Sequence, residues 1–214
     1  MLRLVIERDF VNCSTLSRIP GWKGSFRSLL LALCAFSLGA VAQASDLSMG
    51  VYAGKYYDTE PAGFTQGKAN FLEHYLVAVT AKKTIWRSEV WPVSLEADGM
   101  VGYQSGVASL GEVAFAPALR WHAFPWNDTV RTSMAFAPLG ISYTTSVSPL
   151  ERGSEGKGSR TLNWLYLEVA MANPASKSDE FFARLHHRCA IYDLLNNYGA
   201  NGEDFFTLGF RRRF

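Results

Sequence analysis

A histidine and a cysteine that lie two positions apart, His187 and Cys189, are the side chains of this sequence whose types could perform nucleophilic chemistry. A thiol becomes a competent nucleophile when a neighbouring imidazole takes its proton. In an extended strand, residues i and i+2 point to the same side, with their Cα atoms about 7 Å apart. An imidazole can reach a thiol across that spacing. The pair therefore indicates an activated cysteine, provided that a third group orients the histidine.

A carboxylate that follows this pair could supply the third group, and the sequence offers several. Asp204 has the same parity as Phe206 in the last β-rich stretch, so it should lie on the apolar face of that strand. If this strand forms a hairpin with the strand that carries the pair, Asp204 approaches His187. Glu203 has the opposite parity and Asp193 lies in the intervening loop, so both are weaker candidates.

The segment 181–191, which carries the pair, has one apolar and one cationic face when it is read with a period of two. Its odd-numbered positions are apolar apart from His187 and Cys189, whereas its even-numbered positions include Arg184 and Arg188. An apolar wall around a polar lumen is typical of a transmembrane β-barrel. We therefore predict that the pair faces hydrocarbon while the two arginines face the lumen.

The rest of the chain supplies enough strands for such a barrel. Eight β-rich stretches are separated by turn clusters such as Pro125–Asp128, and no helical period of any length stands out. The stretches are 47–57, 70–81, 92–104, 109–121, 129–143, 161–172, 180–191 and 204–214. We therefore predict an all-β fold, an eight-stranded antiparallel up-and-down transmembrane β-barrel formed by residues 45–214.

Charged side chains of several stretches share the face opposite to the apolar residues. They are Glu96, Asp98, Glu112, Arg120, Glu168, Arg184, His186 and Arg188. A small barrel fills its interior with side chains, and buried charges are tolerated only when they are paired. We therefore predict an interior network of ion pairs, in which His186 is a structural partner of Glu168. A soluble, lipocalin-like carrier would need the reverse pattern, with apolar residues inside.

Residues 1–44 are predicted to be absent from the mature fold. Lys23 and Arg27 precede an apolar run, and the Ala-Gln-Ala sequence at 42–44 is a small-x-small cleavage site, a combination typical of a secretory signal peptide. The apolar run is shorter than the roughly 20 residues that a membrane-spanning helix needs. Residues 1–20 fit no part of a signal sequence, which indicates an over-long gene start.

The mature chain would carry a net charge of about −1, instead of the +2 of the full sequence, and Cys189 as its single cysteine. The slightly basic balance of the full sequence therefore gives no indication of nucleic-acid binding. A single cysteine excludes an intrachain disulfide, and no zinc-type spacing of ligands is present. We expect neither a metal nor another cofactor.

The C-terminal stretch resembles the assembly signal of bacterial outer-membrane barrels, which would make the barrel assembly machinery a partner of this chain. Apolar side chains share one face of the stretch, with Arg212 as the exception: Phe206, Leu208, Phe210 and Phe214. Tryptophans that flank the strands would suit the aromatic girdles at the membrane interfaces. They are Trp86, Trp91, Trp121 and Trp126.

Two parts of the sequence resemble a known family. The segment Arg184–Cys189, the later Asn201-Gly202 and an acid before a strand that ends in Phe are similar to the C-terminal part of the lipid A 3-O-deacylase family. The segments Ala118–Trp126 and Gly140–Thr144 resemble upstream strands of related outer-membrane barrels, which include acyloxyacyl hydrolase-like members. The resemblance implies an eight-stranded outer-membrane barrel that hydrolyses the 3-position ester of lipid A without a metal.

The resemblance also implies roles for individual residues. His187 matches the base of the family's His-x-Ser motif, Cys189 occupies the serine position, and Asp204 lies where the acid is expected. The resemblance is loose over 90–214 and strongest over 181–214. Cysteine in place of serine is a departure, because an oxyanion site shaped for an oxygen nucleophile has to accept the larger sulfur atom.

Three functions follow from these patterns. The first is an outer-membrane lipid A acyl-ester hydrolase, in which His187 deprotonates Cys189 and Asp204 orients the imidazole. The second is a catalytically inactive outer-membrane barrel with a structural or loop-presenting role. The third is a soluble periplasmic carrier, which the charged interior disfavours. We predict the first of these, with lipid A or other outer-membrane lipids as the binding partner and no nucleic acid.

Overall fold

The structure, a computed structural model, describes residues 46–59, 61–153, 156–176, 178–190 and 202–214. The predicted signal peptide and its cleavage site lie outside these residues, as do Ile191 and Asp193. No helix within the described ranges is long and apolar enough to cross a lipid bilayer.

Nine β-strands form a single sheet in the described part of the chain. They are β1 (Leu47–Tyr57), β2 (Phe71–Arg87), β3 (Val93–Ser105), β4 (Leu110–Trp121), β5 (Arg131–Ala137), β6 (Ile141–Thr144), β7 (Thr161–Ala172), β8 (Asp179–Cys189) and β9 (Glu203–Arg213). A short helix, α1 (Pro61–Thr65), follows β1, and a 3₁₀ turn at Pro149–Glu151 lies between β6 and β7.

The sheet closes on itself. β1 pairs with both β2 and β9, and β3 pairs with both β2 and β4. β4 and β7 each pair with β5 and with β6, so these two short strands are consecutive halves of one barrel strand. All pairings are antiparallel, and neighbours in the sequence are neighbours in the sheet. The result is a closed eight-stranded antiparallel barrel in up-and-down order, which confirms the predicted fold class.

The division of the fifth strand into β5 and β6 was not predicted. Pro138, at the break, has no backbone N–H to donate to a neighbouring strand. The side chain of Asn163 on β7 bridges the gap: its Oδ1 accepts a hydrogen bond from the backbone N–H of Gly140 (2.9 Å), and its Nδ2 donates to the carbonyl of Pro138 (3.3 Å). The prediction of one continuous strand over 129–143 was therefore wrong at this point.

β2 is longer than the predicted stretch 70–81. It continues to Arg87 because Lys82 points into the barrel, where its Nζ lies 3.1 Å from Oε1 of Glu96. The pairing of β2 with β3 reaches Arg87 and Ser94 after a bulge that precedes Trp86. Lys82 therefore belongs to the barrel strand, which the predicted stretch ended one residue too early to include.

Side chains divide between lumen and outer wall as predicted. The eight interior residues of the prediction are buried: Glu96, Asp98, Glu112, Arg120, Glu168, Arg184, His186 and Arg188. The outer wall is apolar, and Val101, Phe115 and Leu119 on it are each more than half exposed. An apolar surface that surrounds the whole barrel is the surface that lipid requires.

Glu168 lies at the centre of the interior network. Its carboxylate oxygens bind three guanidinium groups, namely those of Arg120 (2.7 Å), Arg184 (2.7 Å) and Arg211 (2.5 Å). Arg184 also donates to Asp98 at 2.6 Å. These contacts compensate charges that would otherwise destabilise the fold, because an unpaired buried charge costs several kcal/mol. Sequence analysis missed Arg211, although its parity in β9 is that of the interior residues.

The two ends of the barrel differ. The first described residues of β1, the C-terminal Phe214 and the connections at 88–92 and 122–130 lie at one end, as do the end of β7 and the start of β8. The connection at 106–109 lies at the other end, as do the end of β1, the described residues between β6 and β7, and Cys189 at the end of β8. In outer-membrane barrels the short turns face the periplasm and the longer loops face outward. The four tryptophans predicted to lie in girdles are exposed and lie at the terminal end.

Candidate active site

His187 and Asp204 form a direct hydrogen bond on the outer wall. They are partners in the antiparallel register of β8 and β9, so their side chains point to the same side. Nδ1 of His187 lies 2.6 Å from Oδ1 of Asp204. Because a carboxylate accepts hydrogen bonds and does not donate them, Nδ1 carries the proton and Nε2 is left as an acceptor. The two side chains are 13% and 8% exposed, so neighbouring residues largely cover the pair.

Cys189, the last residue of β8, lies beside this pair on the same face. It is two positions from His187 along the strand, so its thiol lies next to the imidazole. The cysteine is partly buried, and Nδ2 of Asn163 lies 3.6 Å from its sulfur atom. The structure thus brings the three predicted site residues together in the order Asp204, His187, Cys189.

Two further side chains of this cluster escaped sequence analysis. Tyr57 on β1 donates a hydrogen bond from its Oη to Oδ1 of Asp204 (3.4 Å), and Asn163 on β7 is the register partner of Cys189. With them, the cluster spans four neighbouring strands, β1, β9, β8 and β7. Tyr57 and Asp204 are far apart in sequence, so only the closure of β1 on β9 brings them together.

Gly202 leaves room for the imidazole at the start of the last strand. A Cβ atom at this position would lie 3.1 Å from Cε1 of His187 and 3.1 Å from the carbonyl oxygen of Arg188. Both distances are shorter than ordinary van der Waals contacts. A side chain here would therefore press against the ring that Asp204 orients.

The alternative acid, Glu203, points into the lumen. It is fully buried, its Oε2 lies 3.5 Å from Nη1 of Arg188, and its Oε1 accepts a hydrogen bond from Ser148 (2.8 Å). Glu203 is therefore on the face opposite to His187, and Asp204 is the acid that contacts the imidazole. The other candidate, Asp193, lies outside the described residues.

His186 is buried and structural in its contacts, but its predicted partner was wrong. Its Nδ1 accepts a hydrogen bond from Nε1 of Trp164 (3.2 Å), and its Nε2 lies 3.2 Å from Oε1 of Glu112. Glu168 is not available to it, because that residue is the register partner of Arg184, one step further along the strands.

The cluster on the outer wall has the parts of an acid–base–nucleophile relay. Asp204 can hold the imidazole in one tautomer and stabilise it when it is protonated, and His187 can take the thiol proton. Among the described residues, no group of three or more His, Cys, Asp and Glu side chains is placed to hold a metal ion. Apolar side chains of the wall flank the cluster, including Leu165, the register partner of His187.

The fold and this cluster define a β-barrel of the outer-membrane type with a polar site on its apolar wall. The structure is similar to that of the outer membrane enzyme PagL, with a TM-score of 0.52 and 12% sequence identity over 77% of this chain and 97% of that chain. At this identity the likeness is one of fold.

Two other solved structures are similar at lower scores. Neisserial surface protein A (NspA) has a TM-score of 0.48 and 11% identity, over 81% of this chain and 100% of that chain. The N-terminal β-barrel domain of Pseudomonas aeruginosa OprF has a TM-score of 0.44 and 14% identity, over 80% and 100%. No model of a protein family matches the sequence, and no curated protein is significantly similar to it.

Proposed function

We propose that this chain is an acyl-ester hydrolase of the bacterial outer membrane that removes an acyl chain from lipid A, as a 3-O-deacylase does. The observation that carries the proposal is the hydrogen bond between His187 and Asp204 on the outer wall of the barrel, with Cys189 two positions from His187 on the same face. A hydrolytic site on such a wall can act only on an ester that lies in the membrane. Export by the predicted signal peptide and insertion by the barrel assembly machinery are part of the proposal.

In the first half of the reaction, Nε2 of His187 takes the proton of the Cys189 thiol, and the thiolate attacks the ester carbonyl carbon. Asp204 stabilises the imidazolium that forms. When the tetrahedral intermediate collapses, the C–O bond of the ester breaks and His187 gives the proton to the departing sugar oxygen. The acyl chain is then held as a thioester on Cys189.

In the second half, water enters from the loop end of the barrel. His187 takes a proton from this water, and the oxygen attacks the thioester carbonyl. The carbon–sulfur bond breaks, the fatty acid leaves, and the sulfur atom recovers the proton from His187. Cys189 is in this way restored for the next ester.

The side chain of Asn163 supports this chemistry. Its Nδ2 lies 3.6 Å from the sulfur atom of Cys189 and can donate to the oxygen that becomes negative when the thiolate attacks. A hydrogen-bond donor at this place matters because hydrocarbon around the site offers no other stabilisation of charge. Sequence analysis did not predict this role.

Mass spectrometry of lipid A tests the proposal. Lipid A extracted from cells that produce the full chain should lack one ester-linked acyl chain. Lipid A from cells that produce His187→Gln or Cys189→Ala should retain it. Asp204→Asn should lower the rate by about 10²–10⁴-fold, because the imidazole loses its orienting charge. Unchanged lipid A in cells with correctly inserted wild-type barrel would contradict the proposal.

Cys189→Ser distinguishes a working thiol nucleophile from a thiol that has replaced a working serine. If the thiol is the working nucleophile, this variant is at most as active as the wild type. If only the serine variant releases acyl chains, the wild type is an inactive relative of an ester hydrolase.

The alternative function, a non-enzymatic barrel that stabilises the membrane or presents loops, has one observation in its favour, the densely paired interior around Glu168. It predicts no acyl loss from any of these variants.

A further inference from the structure

A groove of about 340 Å³ runs along the outer wall beside the candidate active site. Six outward-facing side chains from β1, β2 and β9 line it: Ala53, Lys55, Tyr75, Val77, Phe206 and Leu208. In the register of the sheet, the methyl group of Ala53 lies between the larger Val77 and Leu208. A small residue between two large ones leaves a slot in the wall, and its volume is in the range of about 300–1,000 Å³ that ligand sites have.

The loop end of this slot adjoins the catalytic cluster. Phe206 is two positions from Asp204 on the same face of β9. The ring of Phe64, on helix α1, stacks on Phe206 with their centroids 5.1 Å apart and also contacts Tyr57 at 4.9 Å. The aromatic rings of Phe64, Phe206 and Tyr57 therefore lie between the slot and the catalytic cluster.

An ion pair lies at the head of the slot. Lys55 extends toward the loop end, where its Nζ is 2.5 Å from Oε1 of Glu73 and 5.5 Å from the centre of the Tyr75 ring. The Lys55 side chain is one-third exposed and that of Glu73 three-quarters exposed, so a ligand can reach both charges. Long cationic side chains in a membrane wall place their charge at the polar interface in this way.

We propose that this slot binds a phospholipid with a zwitterionic headgroup. One acyl chain lies over Ala53, between Val77 and Leu208. The phosphate replaces Glu73 as the partner of Lys55, and the headgroup ammonium binds Glu73. The adjacent cation and anion are complementary to such a headgroup, whereas an anionic headgroup would approach the Glu73 carboxylate without a counter-charge. The binding requires neither His187 nor Cys189, so it is independent of the proposed hydrolysis.

Photo-crosslinking with the purified full chain in detergent tests this inference. The probe is an ether-linked phosphoethanolamine lipid with a diazirine near the end of one chain, which no esterase can cleave. We expect crosslinks in the peptides that contain Val77 and Leu208. The same lipid with a phosphoglycerol headgroup, or with no phosphate, should label these peptides about fivefold less.

Matched variants locate the site. Ala53→Leu fills the slot and should reduce labelling about fivefold, whereas Ala97→Leu, at an outward-facing alanine of β3, should not. Lys55→Gln should have the same effect as Ala53→Leu, whereas Lys83→Gln near the other end of the wall should not. Glu73→Gln should remove the preference for phosphoethanolamine over phosphoglycerol. Labelling that is equal for the three probes, or unaffected by both Ala53→Leu and Lys55→Gln, would overturn the inference.

Discussion

The two faces of β8 use polar residues for different purposes. On the inner face, Arg184 and Arg188 are fully buried and bound to carboxylates of several strands. On the outer face, His187 contacts Asp204 and Cys189 contacts Asn163, in an otherwise apolar wall. The inner face holds its charges to stabilise the barrel. The outer face carries a small polar cluster that neighbouring residues largely cover.

Interior contacts can hold polar side chains in place on the outer wall of a barrel. Every second side chain of a barrel strand points into the lumen, so each residue of the outer cluster has a sequence neighbour that is packed inside the barrel. His187 lies between His186 and Arg188, and Asp204 follows Glu203. Arg188 and Glu203 contact each other inside, directly behind the hydrogen bond between His187 and Asp204 outside. The interior contacts thereby hold the strands that position the site.

The largest effect should come from an interior cation. Arg184→Met leaves the carboxylates of Asp98 and Glu168 without one of their partners, so we expect the free energy of unfolding to fall by about 3–5 kcal/mol. Urea unfolding of the barrel in lipid vesicles, followed by tryptophan fluorescence, measures this. The control is Arg212→Gln, which removes an exposed pair with Asp179 on the outer face and should cost less than about 1 kcal/mol. Equal losses would refute the division between the faces.

An effect of comparable size, spread over several pH units, should come from Glu151, in the loop-end connection outside the barrel strands. Burial, opposed by Arg188, raises the pKa of Glu151 to about 8. The folded state therefore keeps a proton that the unfolded chain loses near pH 4.3. The resulting stability is fully present below that pH and is lost as the pH rises to about 8, by at most ~1.4 kcal/mol per pH unit.

Hydrogen-exchange protection of residues 145–153 measures the effect of Glu151. After correction for intrinsic exchange rates, protection should fall by up to about tenfold per pH unit over this range and then level off. Glu151→Gln mimics the protonated acid and should make protection independent of pH. Glu89→Gln, in the connection between β2 and β3 at the other end, should behave as the wild type. Protection that rises with pH would contradict the assignment.

The smallest effect should come from Tyr57, which contacts the outer cluster through Asp204 alone among the site residues. Tyr57→Phe removes the 3.4 Å hydrogen bond to Asp204 and should slow lipid A deacylation about two- to tenfold, as the loss of about 0.5–1.5 kcal/mol implies. The barrel should remain as stable as the wild type within about 1 kcal/mol. Tyr103→Phe, on the exposed wall away from the cluster, serves as the control and should have no effect on the rate. A rate loss as large as that of Asp204→Asn would give Tyr57 a role in the chemistry itself.

The alternation of residue types in the sequence predicted much of this architecture. It placed Arg184 and Arg188 inside and His187 outside, and it placed Asp204 on the face of the histidine. These inferences were possible because a strand has a strict period of two and the two sides of a barrel wall contact different media. The sequence positions alone were enough to choose between the two faces.

The misses have a common cause. The hydrogen bond from Tyr57 to Asp204 and the contact of Asn163 with Cys189 join residues of different strands, and so does the pairing of His186 with Glu112. Each depends on which strands are neighbours and on how far they are shifted along each other. A period of two gives the side of the wall but not the register.

The sequence by itself therefore determined the number of barrel strands, the polarity of the lumen and the outward direction of His187, Cys189 and Asp204. Only the tertiary structure decided the register that brings Asp204 into contact with the imidazole, and the closure of β1 on β9 that adds Tyr57 to the cluster. The physical reason is that side-chain direction is a local property of an extended backbone. Contacts between side chains of different strands follow from the register and closure of the whole sheet.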